Sequence, residues 1–268
     1  MIVCKNCGNN YEGNFCPSCG QRYIDKRFTL KDSIAWLFAS VFNLERGFLP
    51  TTIQLITKPG VTIRNYLSGI TIPYAHPFRF VFIWSTVSAI LTVYLGIFDE
   101  STAAITQTTS EDLNYSAQQQ EFMARYNEFI KNYLAFVTMG MIPITSFFTY
   151  LLFKKKGFNY AENLVMQAYA TGSSVVIGLP VIILYYFLDD PNLFIMIIML
   201  LSLVVVTRVY KLFFKVNVFQ AFIKYILSII LTYLTFIILL TMIIVGAVFI
   251  YKALGLGLPF GIEAPAPQ

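Results

Sequence analysis

Residues 221–251 read AFIKYILSIILTYLTFIILLTMIIVGAVFIY, with Lys224 as the single charged side chain. A helix of about 20 apolar residues crosses a bilayer, so this stretch alone removes the chain from the water-soluble classes. Four further apolar segments precede it, near 80–98, 133–153, 164–188 and 193–214. Composition agrees: 57% of the 268 residues are hydrophobic and 12% charged, whereas an average soluble domain is roughly a quarter charged. The expected fold class is therefore an all-α membrane protein with about five transmembrane helices. The last segment exceeds one span and must tilt or run past the bilayer.

Charge sets the expected orientation. The head through Arg79, the loop 154–163 and the loop 208–224 hold 16 Lys and Arg against 5 acids; the intervening segments hold 3, Arg125, Lys131 and Lys252, against 9 acids. This alternation obeys the positive-inside bias for five spans with the amino terminus in the cytoplasm and the carboxyl terminus outside, and four or six spans would break it. Met1 to Cys7 is short and polar, without the apolar core of a secretion signal. The chain thus divides into a wet head (1–24), an amphipathic helical segment at the interface (25–75), a five-span body (76–254) and a Gly- and Pro-rich tail expected to be disordered (255–268).

The head holds all four cysteines. Cys4, Cys7, Cys16 and Cys19 form C-x2-C-x8-C-x2-C, and each pair is followed by glycine, as CKNCG and CPSCG. Such a turn aims two thiolates at one metal while backbone N–H groups bond the sulfurs, and glycine takes the backbone conformation that a side chain resists. Two turns make one closed tetrahedral site, so one structural zinc ion is expected; rubredoxin-like iron uses the same ligands. Paired disulfides do not suit a reducing cytoplasm. A head this small lacks the core to fold alone, and the metal supplies its stability. No basic stripe interleaved with aromatics accompanies the cysteines, so a protein partner is expected and nucleic acid is not.

Between head and membrane, Thr29 to Asp32 reads as a helix start, followed by an apolar face from Leu30 through Phe42 that includes Leu37 and Phe38. A second short helix is expected from Pro50 to just before Lys58-Pro59-Gly60, and a third from about Thr62 to Leu67, closed by Gly69. These helices either lie in the headgroup layer or pack on the membrane body. Arg64, His76, Arg79, Lys154, Lys155 and Lys156 are the candidate lipid-headgroup residues, since basic groups near an anionic leaflet each gain about 1 kcal/mol. His76, the single histidine, either senses protons or binds phosphate there, or hydrogen-bonds backbone. On the far side, 118–131 is expected to be helical, and the adjacent acids Asp99 and Glu100 read as a solvated turn.

Within the spans no Asp, Glu, Lys or His stands well away from the ends. Proton-coupled carriers and intramembrane proteases need such groups at depth, and no nucleophile triad, HExxH or P-loop occurs. No enzymatic activity is expected. Thr145, Ser146, Gln167, Gly172, Ser173 and Gly178 read as helix-contact residues, while Pro143 and Pro180 can kink their helices, the feature a carrier would use.

The landmarks Cys4-x-x-Cys7-Gly8, Phe15-Cys16-x-x-Cys19-Gly20-Gln21, Arg27-x-Thr29, Lys58-Pro59-Gly60, Arg64-Asn65-Tyr66-Leu67-Ser68-Gly69 and Tyr74-x-x-Pro77 resemble the bacterial zinc-ribbon membrane proteins grouped as domain of unknown function 3667. Further on, Asn159-Tyr160-Ala161-Glu162, Ala168-Tyr169-Ala170, Gly178-Leu179-Pro180, Val209-Tyr210-Lys211-Leu212 and Gln220-Ala221-Phe222 are similar to the five-span Yip1 superfamily. The first resemblance implies a bacterial inner membrane and no known activity; the second implies a non-enzymatic binding partner within membranes. The function expected is an adaptor or scaffold that contacts membrane lipid and a cytoplasmic or membrane protein, with homo-oligomer formation open. The alternative is a small-solute carrier or channel.

Overall fold

The computed structural model describes residues 1–24, 27, 29, 47–103, 117–187 and 190–253. The helix expected from Leu30 to Phe42 and the tail 255–268 lie outside them. The head is a two-stranded ribbon, β1 (Ile2–Val3) antiparallel to β2 (Asn10–Tyr11). Two short helices follow, α1 (Phe48–Thr57) and α2 (Pro59–Leu67). The body consists of α3 (Pro77–Tyr94), α4 (Ala117–Asn132), α5 (Leu134–Leu152), α6 (Tyr160–Leu184), α7 (Pro191–Phe214) and α8 (Val218–Ala253). Of these α3, α5, α6, α7 and α8 are long and apolar enough to cross a membrane, so the expected fold class holds. α6 is the central helix, with α3, α5 and α7 packed around it, and α8 closes on α5 and α7.

Several boundaries differ from those read in the sequence, for local reasons. α6 begins at Tyr160 rather than 164 because Asn159 and Glu162 form a reciprocal capping box: the Asn159 side chain accepts the Glu162 N–H at 2.8 Å, and the Glu162 carboxylate accepts the Asn159 N–H at 2.8 Å. α1 starts two residues before Pro50. α2 starts at Pro59, not Thr62, since proline fits the first helical position, where its missing N–H costs nothing. Lys58 is therefore a one-residue break between α1 and α2. α2 ends as expected, with Gly69 at φ +99°.

Both short helices pack on the body, with Leu55, Ile63 and Tyr66 in the same core as Phe80, Tyr169 and Tyr210. That core is aromatic and sits at the ribbon end of the bundle, where the Phe153 and Phe214 rings stack at 3.8 Å. The small residues of α6 serve contact: Gly172 lies so close to α3 that a Cβ would come within 2.6 Å of the Phe80 ring. α5 and α6 run through Pro143 and Pro180.

The two ends of the bundle differ. At one end lie the ribbon, the α2–α3 linker, Lys154–Lys156 and the α7–α8 turn. Arg27 ties the ribbon's trailing segment to α6, donating to Glu162 at 2.6 and 3.0 Å and to the Gly157 carbonyl at 2.8 Å. Cations at this end also cap helix C-termini, whose carbonyls lack partners within the helix. Arg64 donates to Leu212 and Phe213 of α7, Arg208 to Ile56 and Thr57 of α1, and Lys224 to Leu152 of α5. At the opposite end Tyr94, Phe129, Tyr133 and Phe187 are exposed, as aromatic residues at a bilayer rim are. There Asp99 and Glu100 are exposed as expected but stand in a helix rather than a turn. A helical stretch at 97–103 aims Asp99 at Lys131, 2.6 Å away, and Glu100 at the Tyr185 hydroxyl. α4 covers Ala117–Asn132, as the sequence suggests.

Candidate metal centre

The ribbon repeats one turn twice. Cys4 N–H donates to Asn9 O and Gly8 N–H to Cys4 O; in the second copy Cys16 N–H donates to Gln21 O and Gly20 N–H to Cys16 O, all at 2.8–2.9 Å. Gly8 and Gly20 both stand at φ +76° with open space around them. Backbone conformation and not crowding therefore demands glycine at these two places. The turns bring the four sulfurs within 4.8 Å of one another, with Cys4–Cys19 and Cys7–Cys16 at 3.6 Å.

These spacings test the fit to a metal. Four thiolates at a metal–sulfur length of about 2.3 Å, placed tetrahedrally, stand about 3.8 Å apart, whereas a disulfide would need about 2.05 Å. The observed separations match the first arrangement and leave all four thiols free of disulfides. Burial opposes ionisation of Cys16, but N–H bonds from Cys19 and Ser18 and the neighbouring thiols overcome it and pull the group down to about 6. Cys7 gains from its bond with the Asn9 backbone, yet contacts with Cys19, Cys4 and Cys16 together with burial drive it up to about 12. Among the clustered thiols Cys16 is thus the readier to ionise and Cys7 the more reluctant. The set could hold one metal ion with every position filled by protein, a structural rather than a catalytic arrangement.

Gln21, the residue after the second turn, fixes the ribbon to the body. It is 2% exposed. Its amide nitrogen donates to Arg22 O, Gly69 O and Thr71 Oγ1 at 2.8–3.2 Å, and its oxygen accepts from the N–H groups of Thr71 and Ile72 at 3.1 and 3.2 Å. Lys5 adds bonds to Ile24 O and Ser68 O. Replacing Gln21 with Leu strands buried partners in the α2–α3 linker at about 1–3 kcal/mol for each. We expect Gln21→Leu to keep its metal while amide exchange at Gly69 to Ile72 accelerates tenfold or more; unchanged exchange would refute the role of Gln21 as anchor. Gln21 stands in the sequence only as a landmark of the family resemblance, and its anchoring role is not legible there because its partners lie some fifty residues away.

The six residues expected at a lipid headgroup divide. Lys154, Lys155 and Lys156 are exposed on the ribbon side. Arg64 is committed to the α7 carbonyls. His76 and Arg79 are 7% and 6% exposed, inside the protein, and the His76 ring lies edge-on to Tyr66 at 6.5 Å. Burial first, and the Arg79 charge second, pull His76 down to about 4, so at neutral pH it carries no charge for a phosphate.

Ribbon and body together define a polytopic helical membrane protein with a thiol-only cradle, able to hold a metal, docked on one end. Comparison with known proteins adds one match: residues 45–89 fit the family described as protein of unknown function (DUF3667). The matched stretch spans α1, α2 and most of α3, and does not reach the cysteine ribbon. No curated protein and no solved structure matches the chain.

Proposed function

We propose that the protein is a non-enzymatic adaptor of the bacterial cytoplasmic membrane, whose ribbon, holding one structural zinc ion, faces the cytoplasm and docks a protein partner. The observation that carries this reading is the outer surface of the ribbon. Phe15, beside Cys16, is 62% exposed and Val3 is 64% exposed, while Gln21 and Lys5 are spent holding the ribbon to the body. Rigid, exposed apolar side chains on a small polar module are typical of a contact surface. Lys154, Lys155 and Lys156 add an anionic-lipid contact on the same side.

A carrier or channel would need a wet path between the spans. Where α5, α6, α7 and α8 meet, the polar side chains are instead engaged with one another: the Tyr210 hydroxyl donates to Gln167 Oε1 at 2.8 Å and lies 2.9 Å from Thr149 Oγ1, and Thr232 reaches Thr145 at 3.3 Å. A seam with its donors and acceptors paired favours a scaffold over a conduit.

The test is site-specific photo-crosslinking in native membranes. A photoreactive residue at position 15 is expected to give a discrete adduct that disappears in a Val3→Ser chain with normal zinc content, while the same residue at position 12 gives none. Absence of any adduct at position 15 in a zinc-replete chain would remove the adaptor reading.

A further inference from the structure

We infer that α1 and α2 lie within the leaflet on the ribbon side and that a stripe formed by Leu49, Ile53, Ile56 and Val61 packs against lipid acyl chains. This rests on the five long helices spanning a bilayer and is independent of whether the ribbon has a partner.

The polarity of α1 is inverted. Thr51 and Thr52 are buried with Leu55, whereas Leu49, Ile53 and Ile56, at positions i, i+4 and i+7, point outward, with Leu49 67% and Ile53 63% exposed. A surface helix bathed in water does the reverse. The inward threonines satisfy themselves on backbone: Thr51 donates to Gly47 O and accepts the Ala75 N–H, and Thr52 donates to Phe48 O. Nothing polar on the outer stripe asks for water.

Two anchors set the depth of α1. At its start the Phe48 ring stacks on Trp84 at 5.5 Å. Trp84 stands seven residues inside α3, about 10 Å along the span at 1.5 Å per residue. At its end the carbonyls of Ile56 and Thr57 accept from Arg208, which stands six residues inside α7, about 9 Å from that helix's end. Both ends of α1 are thus held at similar depths, so the helix runs roughly along the plane of the membrane, below the headgroups. Interfacial helices bury their apolar face about 5–10 Å into this zone. The exposed face of α7 adjoins the stripe through Val204, Arg208 and Leu212, all exposed, so the lipid-facing surface of a span continues onto α1. Lys58 and Lys215, also exposed, lie nearer the aqueous end, where ammonium groups reach phosphate.

The test uses the full zinc-loaded chain reconstituted in phosphatidylcholine vesicles whose acyl chains carry bromine, a short-range quencher of tryptophan. Ile53→Trp and Leu49→Trp are each compared with the parent chain, so that Trp36 and Trp84 cancel, and Val3→Trp serves as the aqueous reference. About half or more of the emission added at positions 53 and 49 is expected to be lost to bromine placed in the upper part of the acyl chain, with little loss to aqueous iodide; position 3 should respond to iodide alone. Emission at 53 and 49 that answers to iodide and not bromine would place the stripe in water, and emission immune to both would place it under a protein partner. Either result overturns the inference, and the second tryptophan position covers the case in which one variant does not fold.

Discussion

A chain carrying Cys4→Ser and Cys16→Ser is expected to purify with no bound zinc, against one ion per parent chain, and to lose the fold of residues 1–24 while its spans keep their helical content. Cys4 and Cys16 are the two buried members of the four-thiol cluster, and around them only Tyr11, with Ile2 and Cys19 partly buried, makes up the ribbon's apolar cluster. So few side chains cannot offset the ordering entropy of two dozen residues, and a metal held by the four thiolates would supply the dominant stabilising contribution. Limited proteolysis should cut within 1–24 in the double variant at least a hundredfold faster than in the parent. Chelation of the parent should reproduce the effect, and zinc should reverse it. A double variant whose ribbon resists protease as the parent does would show that docking through Gln21 and Lys5 holds the head without metal. Metal analysis of the parent separates zinc from iron, since both suit the sulfur spacing.

The second large effect belongs to Gly60. In an ordinary helix Gly→Ala stabilises by about 1 kcal/mol, but a Cβ on Gly60 would stand 2.4 Å from the Leu212 carbonyl oxygen and 2.5 Å from its carbon. These are backbone atoms of a spanning helix and cannot swing aside. α2 must then lift from α7, and the bonds from Arg64 to Leu212 and Phe213 go with it. We expect Gly60→Ala to cost about 3 kcal/mol, the upper end of ordinary overpacking, seen as a lowered thermal midpoint in detergent micelles. Gly140, in α5, has open space where a Cβ would stand, with nothing within 4 Å, and Gly140→Ala should be neutral or stabilising. A Gly60→Ala chain as stable as the Gly140→Ala chain would mean that α2 does not press on the α7 backbone.

Local chemistry determines which features could be read from the sequence. The spans were legible because a bilayer imposes length and apolarity on each one separately, and the cysteine turns because their spacing encodes the site between Cys4 and Gly20. The Lys58-Pro59 break and the Gly69 stop were legible for the same reason. The start of α6 at Tyr160 was within reach, since Asn159-x-x-Glu162 is a capping signature, but the denser apolar run begins only at Leu164 and dominates a reading by hydropathy. Arg64 and Arg208 belong to another category. Each reads as a cation near a membrane face, and only the docking of α1 and α2 on α7 turns them into caps for helices distant in sequence. His76 and Arg79 are similar: adjacency to a span suggests a headgroup, whereas the fold turns both into the protein.

The clamp between Arg208 and the end of α1 joins residues 151 and 152 positions apart. At a synthesis rate of about 5–20 residues per second, the N-terminal hairpin emerges roughly 8–30 s before its clamp exists. Through that interval the carbonyls of Ile56 and Thr57 have only water or an insertion factor to bond with. The contact with α7 is therefore the last that α1 and α2 can form, and a ribosome stalled before α7 would leave them held by α3 and α6 alone, through Phe48 on Trp84 and Tyr66 on Tyr169.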